Sequence, residues 1–293
     1  MVVEVTDLFV YPVKSCAGIR LQQSPISESG LKWDREWLIV DSTGRMVTQR
    51  TVPQLALIQA VPSDTHLRLS APGMAPFSFS LDAAVTSAIP VTVWRDQTLG
   101  CDEGDAVANW LSQYLNTGER FRLVRNHPEA QRHIGRDWLS AWRRQTGGEN
   151  ELISSSVFAF ADSFPFLICN TASLQALNQT IVEQGDEAVM MERFRPNIVV
   201  SGLSAYQEDE LRSLQADSFQ FEKLKICTRC KLPNVDPFTA EVGEQPWNAL
   251  IATRRFPPGL LFGVNAGLST VSPNSEIRVG QSLQATFQAI NND

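Results

Sequence analysis

The chain has 293 residues, of which 43% are hydrophobic and 19% are charged, a composition typical of a globular protein and not of a disordered or fibrous one. Lys and Arg number 25 and Asp and Glu number 32, so the formal net charge is −7. An acidic chain has no general attraction for nucleic acid or for an anionic membrane, so a bound anion would need a local cluster of basic residues.

The cysteines and the apolar segments indicate a compartment. No apolar run reaches the ~20 residues that a membrane helix needs, and acidic residues near the start argue against a secretory signal. The five cysteines are odd in number, sparse and unevenly spaced, which does not indicate a disulfide framework; they are Cys16, Cys101, Cys169, Cys227 and Cys230. We therefore expect a soluble cytoplasmic protein that binds neither nucleic acid nor membrane.

The first ninety residues are predicted to form short strands broken by turns. Residues 3–10 carry a β-like pattern, and residues 37–48 contain turn residues between two apolar runs, which predicts a hairpin. Residues 66–70 and 77–81 both alternate with a period of two. Several short strands at close spacing predict a small sheet or barrel.

The middle of the chain is predicted to contain a helix followed by a loop. Apolar residues recur at helical spacing over residues 106–115, after acidic residues that favour a helix start. Residues 126–150 are polar and charged, which predicts a linker or mobile loop. A second helix is predicted to begin near Thr171, with Thr171 or Asn170 as its N-cap.

Further strands are predicted in the last hundred residues, at 197–200, 219–226 and 277–279. The whole chain is therefore predicted to be mainly β with some α. We interpret it as two β-domains joined near residues 85–150.

Two cysteines, Cys227 and Cys230, lie two residues apart among four basic residues, which are Lys223, Lys225, Arg229 and Lys231. Positive charge favours the thiolate, the form that attacks or binds metal. A structural zinc site would need about four ligands, and no second cysteine pair or histidine follows. A thioredoxin-like pair would be expected near the start of a βαβ unit. Spacing alone leaves metal binding, redox chemistry and a pair of core thiols all open.

A second set of basic and polar residues lies at predicted strand ends. Lys14 and Ser15 end the first strand, and Arg35 and Arg50 flank the hairpin. Lys, Ser and Arg are groups that bind phosphate. Taken singly, each of them is as well explained as a solvated charge on a turn.

The order of these motifs resembles one family. Residues 11–15, 34–35, 46–50, 194–200, 227–230 and 235–237 resemble, in sequence and order, the MOSC-domain proteins that carry a MOSC N-terminal β-barrel, including YcbX-like proteins and the mitochondrial amidoxime-reducing components. The resemblance implies an α+β fold in which an N-terminal MOSC β-barrel domain, residues 1–84, packs on a C-terminal MOSC β-barrel domain, residues 151–293. Residues 85–150 would form a helical and loop connection.

The same resemblance implies a molybdenum–molybdopterin cofactor (Moco) in a cleft between the two domains. It implies that Cys230 is the protein ligand of the metal and that Lys14, Ser15, Arg35 and Arg195 grip the phosphate and pterin. It places Asn197 and Asp236 near the metal, and Asp236 is our candidate for handling a proton. Thr171 and Ser173, at a predicted helix N-terminus where free N–H groups favour an anion, would also lie beside the cofactor.

The implied function is that of an oxidoreductase that reduces N-hydroxylated compounds such as hydroxylamines, N-hydroxylated bases and amidoximes. No cysteine-rich ferredoxin-like segment is recognisable, so the electrons would come from a separate donor protein of ferredoxin, flavoprotein or cytochrome type. A cofactor carrier or sulfur-transfer protein is an alternative, because MOSC domains also occur in molybdenum-cofactor sulfurases. A non-enzymatic β-domain protein with a structural cysteine pair is another.

Two further expectations bear on the cleft. Residues 231–234 depart from the family pattern, which would change the pocket wall and affect the substrate range. Five tryptophans are expected to pack in the core or against helices and not to act as stacking platforms; they are Trp94, Trp110, Trp138, Trp142 and Trp247.

Overall fold

The computed structural model describes residues 1–81 and 88–288. The predicted domain boundary between residues 84 and 85 therefore lies outside the described residues, as does the end of the predicted last domain. No helix in the described part of the chain is both long enough and apolar enough to span a membrane.

Nineteen strands and five α-helices make up the described structure. The strands are β1 (Val2–Val10), β2 (Ile19–Leu21), β3 (Gln23–Ser27), β4 (Gly30–Leu31), β5 (Trp37–Val40), β6 (Gln59–Pro62), β7 (His66–Ser70), β8 (Phe77–Ser80), β9 (Ala88–Val93), β10 (Asp96–Asp102), β11 (Arg122–Asn126), β12 (Phe166–Asn170), β13 (Ile198–Ser201), β14 (Leu211–Gln215), β15 (Phe219–Arg229), β16 (Arg255–Phe256), β17 (Gly259–Val271), β18 (Glu276–Arg278) and β19 (Ser282–Phe287). The helices are α1 (Asp105–Leu115), α2 (Arg136–Thr146), α3 (Glu151–Ser155), α4 (Thr171–Glu183) and α5 (Trp247–Thr253). The mainly β class with some helix is confirmed.

The largest sheet closes on itself as a seven-stranded barrel. Its strands follow the order β12-β13-β1-β19-β14-β15-β17, and β12 also pairs with β17. The first strand of the chain is one of the strands of this barrel, where Val5 pairs with Val200 of β13 and Val2 pairs with Gln284 of β19. Alternate residues of β1 are buried in the barrel core. The predicted N-terminal strand pattern is confirmed, but that strand completes the barrel formed by the second half of the chain.

A second, smaller β-structure holds most of the remaining N-terminal strands, whereas β2 pairs with β1 of the barrel, and β3 and β4 form a separate sheet with β18. A four-stranded sheet follows the order β5-β11-β10-β9, and a separate three-stranded meander is formed by β6, β7 and β8. Helix α1 closes the core of this part, with Val107 and Leu111 packed against Trp37 and Leu123. Strand β5 thus pairs with strands from the segment that was predicted to be only a connection.

Several predicted elements are confirmed. The two alternating runs form the antiparallel pair β7 and β8, and the helical pattern at 106–115 forms α1. Helix α4 begins at Thr171, and the Asn170 side chain accepts a hydrogen bond from the Ala172 N–H at 3.2 Å, so Asn170 is the N-cap. The hairpin predicted at 37–48 is reduced to a single bridge between Val40 and Met46, because β5 pairs with β11 instead.

The loop predicted within residues 126–150 is only partly correct, because residues 127–135 lie outside the helices and strands but residues 136–146 do not. This segment contains helix α2, which buries only two side chains, Leu139 and Trp142. These two side chains pack with Leu224 of β15 in one buried cluster. Most residues of this helix are polar or charged, so its composition resembles that of a solvated loop although its few apolar residues have helical spacing.

A cluster of ionisable groups lies between β5, β10 and β11. The Arg125 Nε lies 3.3 Å from Glu103 Oε1, and that oxygen also accepts a hydrogen bond from the Trp37 indole at 2.7 Å. Burial raises the pKa of the nearby Glu36 to about 7, Arg125 opposes this rise and Glu103 adds to it. Glu36 therefore loses its proton in the folded protein at a higher pH than in the unfolded chain.

The Glu36→Gln variant tests this cluster. A folded-state pKa above the unfolded value gives stability that is fully present below about pH 4.5 and is lost as the pH rises through about 7. We expect the variant to exceed the wild type in free energy of unfolding by ~1–3 kcal/mol at pH 8, with the gap closing towards pH 4.5. Denaturant titrations at both pH values measure this gap. The exposed Glu28→Gln is the matched control, and a gain in Glu36→Gln that does not vary with pH would contradict the explanation.

Candidate functional site

A single cleft brings together residues from both β-structures. Its walls are formed by side chains that follow the ends of β1, β9 and β15, by α2, and by the segments before β12 and β13. The lining residues are Lys14, Ser15, Arg35, Thr48, Trp94, Trp138, Ala161, Asp162, Ser163, Phe164, Leu167, Phe194, Arg195, Asn197, Lys225, Cys227, Thr228, Arg229, Cys230, Leu232, Pro233 and Asn265. Six of the predicted site residues are in this set, namely Lys14, Ser15, Arg35, Arg195, Asn197 and Cys230.

The two thiols lie in and directly after strand β15, at one end of the cleft. We call this the thiol end and define it by Lys225, Cys227 and Cys230. Lys225 and Cys227 are two residues apart and both reach the cleft, as the alternation of a strand allows. Cys230 follows the last residue of the strand and is exposed, whereas Cys227 is half-buried. Both thiols are free. Cys230 is therefore the more accessible of the two.

The four bases around these thiols do not act as one group. The Arg229 guanidinium is held by main-chain oxygens, with Nε 2.9 Å from the Phe262 oxygen and Nη1 3.0 Å from the Phe194 oxygen. The Lys223 Nζ donates to the Asp209 carbonyl at 2.6 Å, away from the cleft. Lys225 remains in the cleft and lies over the Trp138 ring, 3.6 Å from its centroid. The charge cluster expected beside the thiols is thus only partly formed.

Lys14 and Asp162 form part of the other end of the cleft, which we call the anion end and define by Lys14, Ser15, Arg35 and Arg195. The Lys14 Nζ lies 2.6 Å from both the Phe160 carbonyl and Asp162 Oδ1. Burial lowers the pKa of Lys14 to about 8, although Asp162 opposes this. Desolvation alone would raise the pKa of Asp162, but Lys14 and the Trp94 indole N–H, which donates at 2.8 Å, bring it below its usual range.

Two guanidinium groups lie against one tyrosine ring at the anion end. The Arg35 and Arg195 Cζ atoms are 4.3 Å and 4.1 Å from the centroid of the Tyr11 ring. Arg35 Nη2 donates to the Arg195 carbonyl at 3.1 Å, and Arg195 Nη1 donates to the Cys16 carbonyl at 2.7 Å. Within the described residues, the buried Arg195 Nη2 has no hydrogen-bond partner. One strong donor is therefore left over at this end of the cleft.

Backbone conformation also marks this site. Nine non-glycine residues of the described chain have a positive φ, and four of them line the cleft, namely Ser15, Arg35, Trp94 and Arg195, with φ between 51° and 66°. The left-handed region is costly for residues with a Cβ, and such residues cluster at functional sites. The backbone at the cleft is thus held in conformations that local preference does not favour.

Three predicted site residues are not among those that line the cleft. Ser173 is fully buried, where its hydroxyl donates to Glu208 at 2.7 Å and accepts from the Tyr206 N–H at 2.7 Å, and Thr171 begins the same helix. The Asp236 carboxylate lies 2.8 Å from Arg193 Nη2 and accepts the Phe238 N–H at 2.8 Å, which fixes a turn. The position of Asp236 does not support the predicted proton transfer.

Asn197 lines the cleft, but its side chain is engaged with the backbone. Its Oδ1 accepts from the Leu167 N–H at 3.1 Å, and its Nδ2 donates to the Phe9 carbonyl at 3.4 Å. Asn197 thereby joins β1 to the segment before β13. It positions neighbouring residues and has few hydrogen-bonding groups left for a ligand.

Two of the five tryptophans, which were expected to pack in the core or against helices, are not buried in the core. Trp110 and Trp142 are buried, as expected, whereas Trp94 is 39% exposed and Trp138 is 40% exposed. Both exposed rings line the cleft. Sequence reasoning missed Asp162, because only long-range packing places it beside Lys14. Tyr11 belongs to the motif at residues 11–15, but no role was predicted for its ring, which lies against Arg35 and Arg195.

The cleft is strongly cationic although the chain is acidic. Five basic residues line it (Lys14, Arg35, Arg195, Lys225 and Arg229), against the single acid Asp162. The expectation that only a local basic cluster could bind an anion is therefore met. No group of three or more His, Cys, Asp or Glu side chains within residues 1–81 and 88–288 could hold a metal ion. The cleft suits an anionic group that reaches one accessible thiol.

Comparison with known proteins gives two domain matches and a consistent set of relatives. The family model for the MOSC N-terminal beta barrel domain matches residues 2–118, and the model for the MOSC domain matches residues 155–284. The mitochondrial amidoxime reducing component 2 of Homo sapiens is 32% identical over 95% of this chain and 82% of its own length. The protein of the same name in Rattus norvegicus is 30% identical over the same shares, 95% and 82%. A molybdenum cofactor sulfurase of Danio rerio is 30% identical over 85% of this chain but only 30% of its own length.

Thiol reactivity tests the description of the cleft. In protein prepared without cofactor, we expect a thiol-specific disulfide reagent to modify Cys230 rapidly and Cys227 more slowly, because the former is exposed and the latter half-buried. The other three thiols are buried and should react only after unfolding. Time-resolved absorbance of the released thiolate counts the modified thiols. Cys230→Ser should remove the fast phase, Cys101→Ser serves as the control, and retention of the fast phase in Cys230→Ser would contradict the placement.

Proposed function

Since the chain belongs to the family of MOSC-domain proteins with a MOSC N-terminal beta barrel that includes the mitochondrial amidoxime-reducing components, we propose that it is a molybdenum-cofactor-dependent oxidoreductase that reduces N-hydroxylated compounds. The observation that carries this proposal is the cleft itself. It combines one accessible soft thiol with a cationic pocket. Thiolates are ligands for soft metal centres, and clustered Arg and Lys bind phosphate.

The donors at the anion end fit a phosphate-bearing organic cofactor. Arg195 Nη2 is buried without a partner in the described part of the chain, and Lys14 retains an N–H beyond its two bonds. In this proposal Lys14, Ser15, Arg35 and Arg195 hold the phosphate and pterin of molybdopterin, and Cys230 is the metal ligand. Burying these cations without a counter-ion is unfavourable, so an anionic ligand would stabilise the folded protein.

The reaction class is a two-electron reduction. An N–OH group takes up two electrons and two protons, the N–O bond breaks, and the products are an N–H group and water. The bound cofactor supplies the redox chemistry, and the protein supplies binding, orientation and access. In this proposal a separate donor protein of ferredoxin, flavoprotein or cytochrome type provides the electrons.

Among the cleft residues, Lys225 is better placed than Asp236 to supply a proton. Its ammonium lies at the thiol end, and burial lowers its pKa, although the nearby Cys227 opposes this. A lowered pKa makes an ammonium a better proton donor near neutral pH. Asp236 remains the candidate from sequence, but its carboxylate is held by Arg193 and by backbone N–H groups.

One other function has specific support. The similarity to a molybdenum cofactor sulfurase covers 85% of this chain, so a cofactor carrier or sulfur-transfer protein would use the same cleft without turnover. Activity with an artificial electron donor separates the two candidates. The cytoplasmic location stays a prediction from cysteine usage, since the printed names of several relatives are mitochondrial.

Metal analysis tests the proposed cofactor and its ligand. We expect wild-type protein from a host that makes molybdopterin to contain molybdenum, and Cys230→Ala to lose most of it because the only protein ligand is removed. Elemental analysis of the purified proteins provides the measurement. Cys227→Ala is the matched control, since it removes the neighbouring thiol and should retain the metal.

Turnover is measured on the same samples with hydroxylamine and a reduced viologen dye. We expect the wild type to reduce hydroxylamine and Cys230→Ala to lose at least 100-fold in rate, about 3 kcal/mol of transition-state stabilisation. A wild type that contains molybdenum but shows no turnover would favour the carrier. Molybdenum-free wild type from a competent host would overturn both functions.

A further inference from the structure

The two ends of the cleft differ in chemistry. The anion end is lined by Lys14, Ser15, Arg35 and Arg195, whereas apolar side chains gather at the thiol end, namely Trp138, Phe164, Leu232 and Pro233. Leu232 and Pro233 directly follow the thiols along the chain, in a short 3-10 helix at Leu232–Asn234. They belong to the segment that departs from the family pattern. An apolar wall beside the accessible thiol has no role in holding a phosphate.

Trp138 is the largest exposed element of that wall. Leu139 and Trp142 anchor α2 by packing in a buried cluster with Leu224 of β15. Trp138, on the same helix, is not part of this buried cluster; it is 40% exposed and is one of the residues that line the cleft. An exposed indole on the wall of a cleft presents apolar surface to solvent, and a ring of a ligand could bury that surface.

The position of the Trp138 indole is fixed in advance. The Lys225 ammonium lies 3.6 Å from the centroid of its ring, and the buried helix contact fixes its backbone. Lys225 and Cys227 are neighbours on one face of β15, so the indole belongs to the thiol end. A preoriented aromatic face binds a flat ring at little entropic cost.

Trp94, the other exposed tryptophan of the cleft, belongs to the anion end. Its indole N–H donates to Asp162 at 2.8 Å, and Asp162 in turn holds the Lys14 ammonium at 2.6 Å. Arg50 covers part of the Trp94 ring, with its Cζ 4.5 Å from the centroid. The two rings are therefore held by different partners in the same cleft, Trp94 by Asp162 and Trp138 by Lys225.

We propose that Trp138, with Leu232 and Pro233, forms a specificity-determining subsite that receives the ring of planar aromatic N-hydroxylated compounds. This inference rests on the proposed reductase function and adds the residues that set a preference among its substrates. The aromatic ring packs against the part of the indole that the Lys225 ammonium leaves open, and the N–OH group points to the thiol end. Aliphatic N-hydroxylated compounds use the same reactive group but gain nothing from the subsite.

Two substrates that differ only in the ring test the subsite. Benzamidoxime and acetamidoxime carry the same reactive group, with a phenyl ring in one and a methyl group in the other. Steady-state kinetics of the molybdenum-loaded enzyme give KM and kcat for each. In Trp138→Leu we expect the KM for benzamidoxime to rise about tenfold, and the preference for benzamidoxime over acetamidoxime in kcat/KM to fall by a similar factor.

Conservative and distant variants complete the test. Trp138→Phe keeps a ring and should restore most of the preference, whereas a merely structural role would not distinguish Phe from Leu in this ratio. Trp247→Leu is the matched control, because Trp247 also lies under a lysine, with Lys231 Nζ 5.8 Å from its ring centroid, but does not line the cleft. It should leave the preference unchanged.

The outcomes separate this inference from the proposed function. A preference that survives in Trp138→Leu overturns the subsite, and so does a loss of molybdenum from that variant without a change in preference. If the wild type reduces neither amidoxime, the reductase function fails, and calorimetric titration with benzamide and acetamide then tests the subsite alone. Tighter binding of benzamide that disappears in Trp138→Leu supports it, and equal binding overturns it.

Discussion

The concentration of positive charge in the cleft is the constraint on which the rest of the site depends. Arg35 and Arg195 lie within 4.3 Å of one tyrosine ring, and the buried Lys14 ammonium affects the pKa of neighbouring groups. Like charges gathered in one cleft repel each other, and burial removes the water that would screen them. The structure offsets this with the aromatic face of Tyr11, with carbonyl acceptors, and with the acids Asp34 and Asp162. Arg195 Nη2, which has no partner within the described residues, marks where an anionic ligand would complete the set.

The topology explains how these groups meet. Strand β1 is paired between two strands of the barrel that the second half of the chain forms. The residues that follow β1 reach the cleft. Because β1 pairs with both β13 and β19, Lys14 and Ser15 are tied to the same sheet as Arg195, which precedes β13. The N-terminal strands then pack on this frame and contribute Arg35 and Trp94. The site is built where the two β-structures meet, so it needs both of them.

The sequence indicated these residues unevenly, and the reasons are physical. Lys14, Arg35, Arg195 and Cys230 were predicted because ordered motifs carry them, and period-two patterns identified β7 and β8. Helix α2 was missed because most of its residues are polar or charged, so its composition resembles that of a loop although its apolar residues have helical spacing. Trp138 was expected to pack in the core or against a helix, and the sequence does not show that its ring is left partly exposed beside the buried contact of α2. Asp162 carries no local signal, because its partner Lys14 is more than a hundred residues away in sequence, and the same holds for the contact of Tyr11 with Arg195.

The relation between the two ends of the cleft depends on two adjacent residues. The Phe194 carbonyl accepts from Arg229, which precedes Cys230 at the thiol end, and the Arg195 carbonyl accepts from Arg35 at the anion end. Consecutive Cα atoms are separated by about 3.8 Å, so these two carbonyls fix the strand that carries the thiol relative to the groups that would hold an anion. Arg195 has a φ of 55°, a conformation that turns the chain between the two contacts. Phe194 and Arg195, of which the second has a strained backbone, thus set the spacing that a ligand bridging both ends would require, which gives the strain a structural purpose.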